Sequence, residues 1–322
     1  MPSPISIGII GAGIMGERLL RAILDQSPDQ LRVAGIWDPS VEAMARIAVA
    51  LPSVPRQTDA AALIASSDCV YVASPPASHL GHARAALAAG KTVFCEKPLA
   101  VDVADARAFV AEAGGRGAVN FPFASSLAVA TLQDWIAQGM VGKVERVTIE
   151  VAFATWPRPW QADAAGWLDR RIQGGFTREV VSHFLFLTRR LVGPLHGLAA
   201  GASFPDPDRS ERAIEASLRA GEIPVGLTGG VGTTTKDDHN IWMLEGDQGA
   251  VRLRDWSIAE RRMADGDWQP AEGALPNEQA RPISLKRQLE GVVQMARGEP
   301  HHLATLAAAL AVQEIVEAIL TG

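Results

Sequence analysis

The sequence predicts an α/β fold, in which a doubly wound parallel sheet is followed by a second, α+β domain. Three observations support this prediction. Apolar runs of strand length alternate with segments of helical period up to residue 120, a glycine-rich turn follows the first run, and the alternation changes after residue 120. The length of 322 residues also exceeds what one hydrophobic core usually serves. We therefore predict two domains, at residues 1–120 and 121–322.

The N-terminal elements follow from short apolar runs and from the amphipathic segments between them. The predicted strands are Ile5–Ile10, Leu31–Trp37, Cys69–Ala73, Thr92–Cys95 and Ala118–Asn120. The predicted helices are Ile14–Leu24, Ser40–Val49, Asp59–Ala65, Ser78–Ala89 and Asp102–Ala113, the last with Asp102 as N-cap and Gly114 as its stop. Such alternation forms a parallel sheet through right-handed crossovers, and ligands bind beyond the carboxyl ends of its strands.

Composition and charge exclude several kinds of partner. A net charge of -6 argues against nucleic acid, which needs a clustered basic face. No apolar run reaches the ~20 residues of a membrane span, and Met1–Pro4 carry no basic leader, so we expect a cytoplasmic protein with no membrane partner. Cys69 and Cys95 lie in predicted interior strands and are expected to be buried, reduced thiols.

The first crossover reads "ISIGIIGAGIMGERLL" and contains a G-x-G-x-x-G motif between a strand and a helix. Gly11 permits the tight turn, Gly13 removes a side chain that would block a pyrophosphate, and Gly16 lets the helix approach the strand. The N–H groups at the start of the helix favour phosphate binding. The motif predicts a dinucleotide site, and the alternative is a glycine turn without a ligand. The predicted cofactor-binding residues of this turn are Gly11, Ala12, Gly13, Ile14, Met15 and Gly16.

Asp38 ends the second predicted strand, about 20 residues after the last motif glycine, where dinucleotide-binding proteins carry the carboxylate that accepts hydrogen bonds from the adenosine ribose. A 2′-phosphate would meet a like charge there, and Pro39 follows instead of an arginine. Asp38 therefore favours NAD over NADP, which is not excluded. The alternative is an aspartate that serves only the turn or the helix cap before "PS".

Further motifs accompany the glycine turn. They are Ser74-Pro75-Pro76 with His79, the segment "AGKTVFCEKP" from Ala89 to Pro98, and a "GG...E...H" segment in the second domain. Together they resemble the glucose-fructose oxidoreductase / inositol dehydrogenase family, also called Gfo/Idh/MocA, over nearly the whole chain. The resemblance implies that Ser74, Pro75, His79, Glu96 and Lys97 line the cofactor site.

The resemblance also implies the architecture and the activity. The second domain would carry an open-faced, largely antiparallel sheet that joins copies into a homodimer or homotetramer. The activity would be NAD(P)-dependent transfer of a hydride between nicotinamide and a hydroxyl-bearing carbon of a sugar, a polyol or a related small molecule. Two alternatives stay open: a hydrolase or lyase of the same family that reduces and reoxidises tightly bound NAD within one cycle, and a nucleotide-binding sensor without catalysis.

Lys97 follows the strand Thr92–Cys95, at the carboxyl edge where a nicotinamide would lie. Pro98 disfavours a helical conformation at Lys97 and keeps it extended or turn-like, so that the ammonium group is aimed. The resemblance implies that this lysine donates hydrogen bonds or moves the proton that accompanies hydride transfer. The alternative is a solvated surface pair of Glu96 and Lys97.

Glu179 and His183 lie four positions apart, so a helix would place them on one face, where a carboxylate can orient an imidazole. The family usually has aspartate at the position of Glu179, and its frequent later aspartate is replaced here by Phe186. The resemblance implies that His183 is the acid/base group. Glu179 either orients it or reaches the substrate itself, and the alternative for His183 is a core histidine in "VVSHFLFL".

The segment "ATWPRPWQADAAGWLDRRIQGG" combines aromatic and basic side chains and predicts a substrate wall. Tryptophan faces would pack against sugar C–H groups, and guanidinium groups would also suit a carboxylate or phosphate. A core or interface role for the tryptophans is the alternative. The candidate substrate residues are Trp156, Arg158, Trp160, Trp167, Arg170, Arg171 and Arg178. No metal site is predicted, because the pairs His79/His82 and His301/His302 lack a converging carboxylate or thiolate.

Overall fold

The structure is a computed structural model that describes residues 3–322. The chain divides into two compact units, which are described separately. Unit 1 contains the described residues up to Pro122 together with Leu285–Leu310. Unit 2 contains Phe123–Ser284 and Ala311–Gly322. The assignment of a cofactor-binding domain to residues 1–120 and a substrate-binding domain to residues 121–322 stays a prediction.

The described residues of unit 1 form a six-stranded sheet. Its strands are β1 (Ile5–Ile10), β2 (Leu31–Trp37), β3 (Cys69–Val72), β4 (Thr92–Cys95), β5 (Gly117–Val119) and β14 (Ala304–Thr305), in the order β14-β5-β4-β3-β1-β2. All neighbours are parallel except β14, which runs antiparallel to β5. The five predicted strands are confirmed. The two-residue strand β14 was not predicted, because so short a run carries no periodicity.

The helices of unit 1 also agree with the sequence pattern. They are α1 (Ile14–Leu24), α2 (Val41–Ala50), α3 (Ala60–Ala65), α4 (Pro76–Ala88) and α5 (Val103–Ala113). The Asp102 carboxylate accepts a hydrogen bond from the Asp105 N–H, and Gly114 ends α5 with φ of 59°, which confirms both predicted ends of this helix. α4 begins at Pro76, earlier than predicted, because proline is compatible with the first helical position.

The core of unit 1 lies between the sheet and its helices. Ile9, Tyr71 and Phe94 are buried in it, and Val292 and Leu303 from the C-terminal part of the chain pack against the same cluster. Cys69 and Cys95 are buried and free, as predicted. The C-terminal segment therefore completes a core whose other members come from the first 120 residues.

The described residues of unit 2 form an eight-stranded sheet. Its strands are β6 (Val144–Phe153), β7 (Leu195–Ser203), β8 (Ala213–Ala220), β9 (Ile223–Val231), β10 (His239–Gly246), β11 (Ala250–Arg254), β12 (Ile258–Arg262) and β13 (Trp268–Pro270), in the order β13-β12-β11-β10-β6-β9-β8-β7. Only the β6–β9 pair is parallel among these described strands. In β8, buried and exposed residues alternate strictly, so one face of the sheet is covered and the other is open. The predicted fold class is confirmed.

Helical segments of unit 2 precede or follow this sheet. They are α6 (Leu127–Ala137), a 3₁₀ segment at Pro159–Ala164, α7 (Ala165–Leu168), a π-helical turn at Thr177–Val181 and α8 (Ser182–Leu191). α9 (Asn277–Ala296) and α10 (Leu306–Thr321) each begin in one unit and end in the other. Within residues 3–322, no helix is long and apolar enough to cross a membrane.

Candidate functional site

The glycine turn after β1 contains two glycines that the fold itself requires. Gly11 has φ of +106°, and a methyl group on it would lie 2.6 Å from the backbone of Ala73. A methyl group on Gly16 would lie 1.9 Å from the carbonyl oxygen of Gly11. These two positions therefore admit no side chain for purely structural reasons.

Gly13 differs from both. Its φ of -78° is ordinary for any residue, and a methyl group on it would meet no heavy atom within 4 Å. The fold does not need glycine here, so the open space in front of this residue fits a ligand that approaches the backbone closely. α1 begins at the next residue, and no side chain caps its N–H groups. The turn thus fits the pyrophosphate of a dinucleotide, whose charge these N–H groups would stabilise.

Asp38 is held against the glycine turn. One carboxylate oxygen accepts a hydrogen bond from the Ala12 N–H at 2.7 Å, and the other accepts one from the Ser40 N–H at 2.8 Å. Arg46, which we did not predict, donates to the Ala12 carbonyl oxygen at 2.7 Å. Asp38 therefore does serve the turn and the start of α2, as its alternative interpretation proposed. Its role towards a ribose stays a prediction.

His79 joins two loops at the carboxyl edge of the sheet. Its Nε2 lies 2.7 Å from the Ser74 carbonyl oxygen, after β3, and its Nδ1 lies 2.8 Å from the Pro98 carbonyl oxygen, after β4. Burial lowers the pKa of His79, although the two backbone oxygens act in the opposite direction. His79 therefore fixes the loops that contain Ser74, Pro75 and Lys97, and a cofactor contact of its own stays a prediction.

A buried hydrogen-bond network fixes the chain where β4 ends. One oxygen of Glu96 accepts hydrogen bonds from the Tyr71 hydroxyl and, at 2.6 Å, from the Asn120 amide. The Asn120 oxygen in turn accepts from Gln288 of α9 at 2.7 Å. Tyr71, Asn120 and Gln288 lie far apart in sequence, and no sequence motif connects them. The network holds Glu96 in the interior, so its carboxylate is not a solvated surface group.

Lys97 directly follows Glu96, and the peptide bond between Lys97 and Pro98 is cis. β1, β3 and β4 are adjacent parallel strands, so the segments that follow them meet at one edge of the sheet. The glycine turn, the Ser74–Pro75 segment and Lys97 therefore share this edge within unit 1. The structure brings the predicted cofactor residues of unit 1 together.

The segment with Glu179 and His183 in unit 2 differs from the expected α-helix. Thr177–Val181 forms a π-helical turn, and His183 belongs to the first turn of α8. The buried Glu211 carboxylate accepts hydrogen bonds from the Thr177 N–H at 2.7 Å and from its hydroxyl at 2.6 Å. A π-helical turn is wider than an α-helical one, and such turns occur frequently at functional sites. Glu179 therefore lies in a π-helical turn instead of an α-helix, and its placement on one face with His183 stays a prediction.

His183 is buried, with 6% of its surface exposed, in a largely aromatic environment. Its ring centroid lies 6.1 Å from that of Phe123 and 5.5 Å from that of Trp256, both edge to face. This environment agrees with the interpretation of a core histidine as well as with that of an acid/base group. Trp256 was not predicted as a site residue.

Trp256 is connected through the Asp238 carboxylate to Arg158, one of the predicted arginines. Its indole N–H donates to the Asp238 carboxylate at 3.3 Å, and Arg158 donates to the same oxygen at 2.6 Å. The Arg158 guanidinium also lies over the rings of Trp156 and Trp160, at 5.6 Å and 4.7 Å from their centroids. The charge of Arg158 is therefore neutralised by Asp238, and its side chain is 6% exposed.

Gln161 closes the connection to Glu179. The Arg158 Nε donates to the Gln161 amide oxygen at 2.9 Å, and the Gln161 amide lies 3.5 Å from a Glu179 oxygen. Side chains from separate segments of unit 2 thus link Glu179 with His183. We call this set the Arg158–Asp238 cluster, which comprises His183, Trp256, Asp238, Arg158, Gln161 and Glu179.

The remaining predicted arginines belong to another part of unit 2. Arg170, Arg171 and Arg178 line a cavity of about 610 Å³. None of the described residues that line this cavity belongs to the Arg158–Asp238 cluster. Arg178 forms a bidentate pair with Glu317, with both contacts at 2.6 Å, and also donates to backbone oxygens. Trp167 lies on α7 and is half-buried. The structure therefore does not unite the seven predicted substrate residues into one wall.

The β-turn between β11 and β12 has an unusual backbone. Asp255 and Trp256 have φ of 46° and 74°, and the Ser257 N–H closes the turn on the Arg254 carbonyl oxygen at 3.3 Å. Positive φ at both central residues is typical of type I′ turns, which favour Gly, Asn and Asp. A tryptophan in this conformation costs roughly 1–2 kcal/mol. Because the turn contains no glycine, the sequence did not predict it.

Comparisons with known proteins agree with this architecture. Residues 5–122 match a family model described as "Oxidoreductase family, NAD-binding Rossmann fold", named GFO_IDH_MocA. Among curated proteins, none matches the sequence significantly. The match covers β1–β5 and confirms both the predicted resemblance and the predicted type of cofactor for this segment, NAD with NADP not excluded.

Solved structures resemble nearly the whole chain. An oxidoreductase from Agrobacterium radiobacter, in complex with NAD+, L-tartaric acid and magnesium, superposes with a TM-score of 0.83 at 17% identity, over 98% of this chain and 95% of that one. An oxidoreductase domain protein from Kribbella flavida gives 0.81 at 23%, over 99% and 97%. A putative myo-inositol dehydrogenase from Sinorhizobium meliloti gives 0.77 at 20%, over 98% and 96%. At these identities the likeness shows the fold alone.

Proposed function

We propose that this chain is an NAD(P)-dependent dehydrogenase or reductase that acts on a hydroxyl-bearing carbon of a small molecule, because residues 5–122 match the family model of Gfo/Idh/MocA oxidoreductases with an NAD-binding Rossmann fold. The nicotinamide would accept or return the hydride. One observation carries the proposal: Lys97 directly follows Glu96, which a buried network fixes, at the same sheet edge as the glycine turn, whose Gly13 leaves space for a ligand.

The proposed roles of the chain's own residues follow from their chemistry. Lys97 donates a hydrogen bond to the substrate oxygen or carries its proton, and His183 exchanges that proton as acid/base group. Glu179 orients His183, through the other members of the Arg158–Asp238 cluster or by direct contact. A positioned proton donor or acceptor of this kind contributes roughly 10²- to 10⁴-fold in rate. The proposal requires that Lys97 and His183 reach the same substrate.

We propose a neutral substrate rich in hydroxyl groups, such as a sugar or a polyol. Arg158 and Arg178 each pair with a carboxylate of the chain, so their charges are already neutralised. Trp160 flanks Arg158 and is exposed, and an aromatic face of this kind packs well against C–H surfaces, whereas Trp156 is buried against Phe153 and Phe176. A carboxylate or phosphate on the substrate would have to displace an existing ion pair at either arginine.

The activity is tested by supplying sugars, inositols, dihydrodiols and hydroxy acids with NAD and with NADP separately. We expect stoichiometric growth of NADH absorbance with a hydroxyl-bearing substrate. Product without net NADH would support the redox-assisted hydrolase or lyase instead. Cofactor binding without any turnover across the panel would support the sensor.

Variants test the proposed residues on the substrate so identified. We expect Lys97→Ala and His183→Gln each to lower kcat by at least about 10²-fold while the affinity for NAD stays nearly unchanged. Lys143→Ala is the matched control, because this lysine is exposed in unit 2. Turnover near that of the unmodified protein in Lys97→Ala would remove this lysine from the chemistry.

Two further properties belong to the same proposal. The open face of the unit 2 sheet, with exposed Glu215 and Arg219 on β8, would join two or four copies of the chain. Light scattering on the purified protein measures this, and a monomer at micromolar concentration would refute it. The location would be the cytoplasm, with no nucleic-acid partner.

A further inference from the structure

The turn between β11 and β12 carries a bulky side chain where glycine would be favoured. Trp256 has φ of 74° although its Cβ makes this conformation unfavourable. Residues in such conformations persist when surrounding contacts hold them, and they cluster at functional sites. The contacts of the indole therefore indicate what the turn serves.

The indole lies among three rings of unit 2. Its centroid is 5.7 Å from that of Phe123, 5.4 Å from that of Phe184 and 5.5 Å from that of His183. Trp256 is only half-buried, so it contributes to the surface beside the buried imidazole. The interplanar angle of 73° between the Trp256 and His183 rings is the edge-to-face arrangement that aromatic pairs favour.

The polar edge of the indole is held as well. Its N–H donates to the Asp238 carboxylate at 3.3 Å, and that carboxylate is held by Arg158 at 2.6 Å. Two further contacts fix the Arg158 side chain: Gln161 accepts a hydrogen bond from its Nε at 2.9 Å, and its guanidinium lies over the Trp160 ring. A chain of fixed contacts thus runs from a nearly buried arginine to the ring that faces His183.

We propose that Trp256 is a positioning residue, which sets the orientation of the His183 imidazole and is itself fixed by Asp238. This inference rests on the proposed function, in which His183 exchanges the proton of the substrate hydroxyl. Displacing a catalytic group by about 1 Å can lower a rate by 10²-fold. If Trp256 orients the imidazole, its substitution should lower turnover. If Trp256 only fills the core, its substitution should lower stability.

The first test needs no substrate. The ring nitrogen resonances of His183 are identified in the NAD-loaded protein by their loss in His183→Gln and compared in Trp256→Phe and Asp238→Asn. Trp268→Phe is the matched control, because this tryptophan of the same sheet packs against Arg252 instead. We expect both test variants to shift the His183 resonances and the control to leave them in place. Unchanged resonances in Asp238→Asn would overturn the proposal, because that variant keeps the indole and removes the charge of the carboxylate that holds both the indole and Arg158.

The second test is a double-mutant cycle on the substrate identified in the panel. We expect Trp256→Phe to lower kcat about tenfold with KM within about twofold, and to have no more than about a twofold effect in the His183→Gln background. Losses that multiply would overturn the proposal, because Trp256 would then act independently of His183. If His183→Gln alone leaves kcat unchanged, the proposed function loses its acid/base group, and the resonances still decide whether Trp256 orients the ring.

Discussion

Gly13→Ala separates a ligand-binding glycine from the structural glycines beside it. A methyl group at this position meets no heavy atom of the chain within 4 Å, and the backbone has φ of -78°. An alanine fits that conformation without strain, so we expect the free energy of unfolding to change by no more than about 0.5–1 kcal/mol, in either direction. The folded protein without cofactor should thus tolerate the substitution.

Cofactor binding, in contrast, should be weakened by Gly13→Ala. If a pyrophosphate lies against the backbone of Gly13, the added methyl group occupies space that the ligand needs. Inserting one methyl group into a filled site typically costs about 1–3 kcal/mol. Since about 1.4 kcal/mol corresponds to a factor of ten, we expect the Kd for NAD to rise roughly 5- to 150-fold.

The assay combines calorimetric titration with NAD and thermal unfolding without it. Gly16→Ala is the control for a structural glycine, because its methyl group would lie 1.9 Å from the Gly11 carbonyl oxygen and should lower the Tm. An unchanged Kd for NAD in a Gly13→Ala protein of unchanged Tm would refute the reasoning. The open space at Gly13 would then have no role in cofactor binding.

Three further predictions concern charge. Asp38→Asn removes the charge that a 2′-phosphate would meet, so titration with both cofactors should show the affinity for NADP relative to NAD rising about tenfold or more, and an unchanged ratio would contradict the ribose role. Burial, followed by the charge of Glu96, raises the pKa of Tyr71 well above its ordinary value of 10.0. The unfolded chain therefore loses this proton first, and the free energy of unfolding should fall as the pH rises above about 10. Phenolate absorbance from this only tyrosine of the sequence should accompany unfolding, and its appearance in the folded protein would count against the buried network. Glu317→Gln should lower the free energy of unfolding in urea by about 1–3 kcal/mol, because Arg178 loses a bidentate partner, and a smaller loss would mean that the pair is only solvated.

The parallel sheet could be predicted from the sequence because its signals are local. Strand-length apolar runs, Asp102 as a helix cap and Gly114 as a helix end each act within a few residues, and the structure reproduces them. The glycine motif likewise indicates a tight turn, because the backbone leaves no room for a side chain at Gly11 or Gly16.

Contacts across long stretches of sequence could not be predicted in this way. Gln288 bonds Asn120 across 168 positions and completes the network around Glu96, but neither residue belongs to a motif. The sequence does not indicate Trp256, because a turn without glycine carries no turn signal, and Asp238, directly before β10, belongs to no motif. The spacing of Glu179 and His183 indicated an α-helix, whereas the contacts of Glu211 with Thr177 accompany a π-helical turn.

The return of the chain to unit 1 has a consequence for biosynthesis. Leu289, Val292 and Leu303 belong to the core of the N-terminal sheet, and β14 adds its last strand beside β5. A nascent chain that has emerged only as far as Pro122 therefore lacks part of its own interior and exposes the apolar surface that these residues cover. The N-terminal sheet is synthesised first, but its core is completed only when Leu303 and β14 have been made. Until then its uncovered apolar surface is accessible to chaperones.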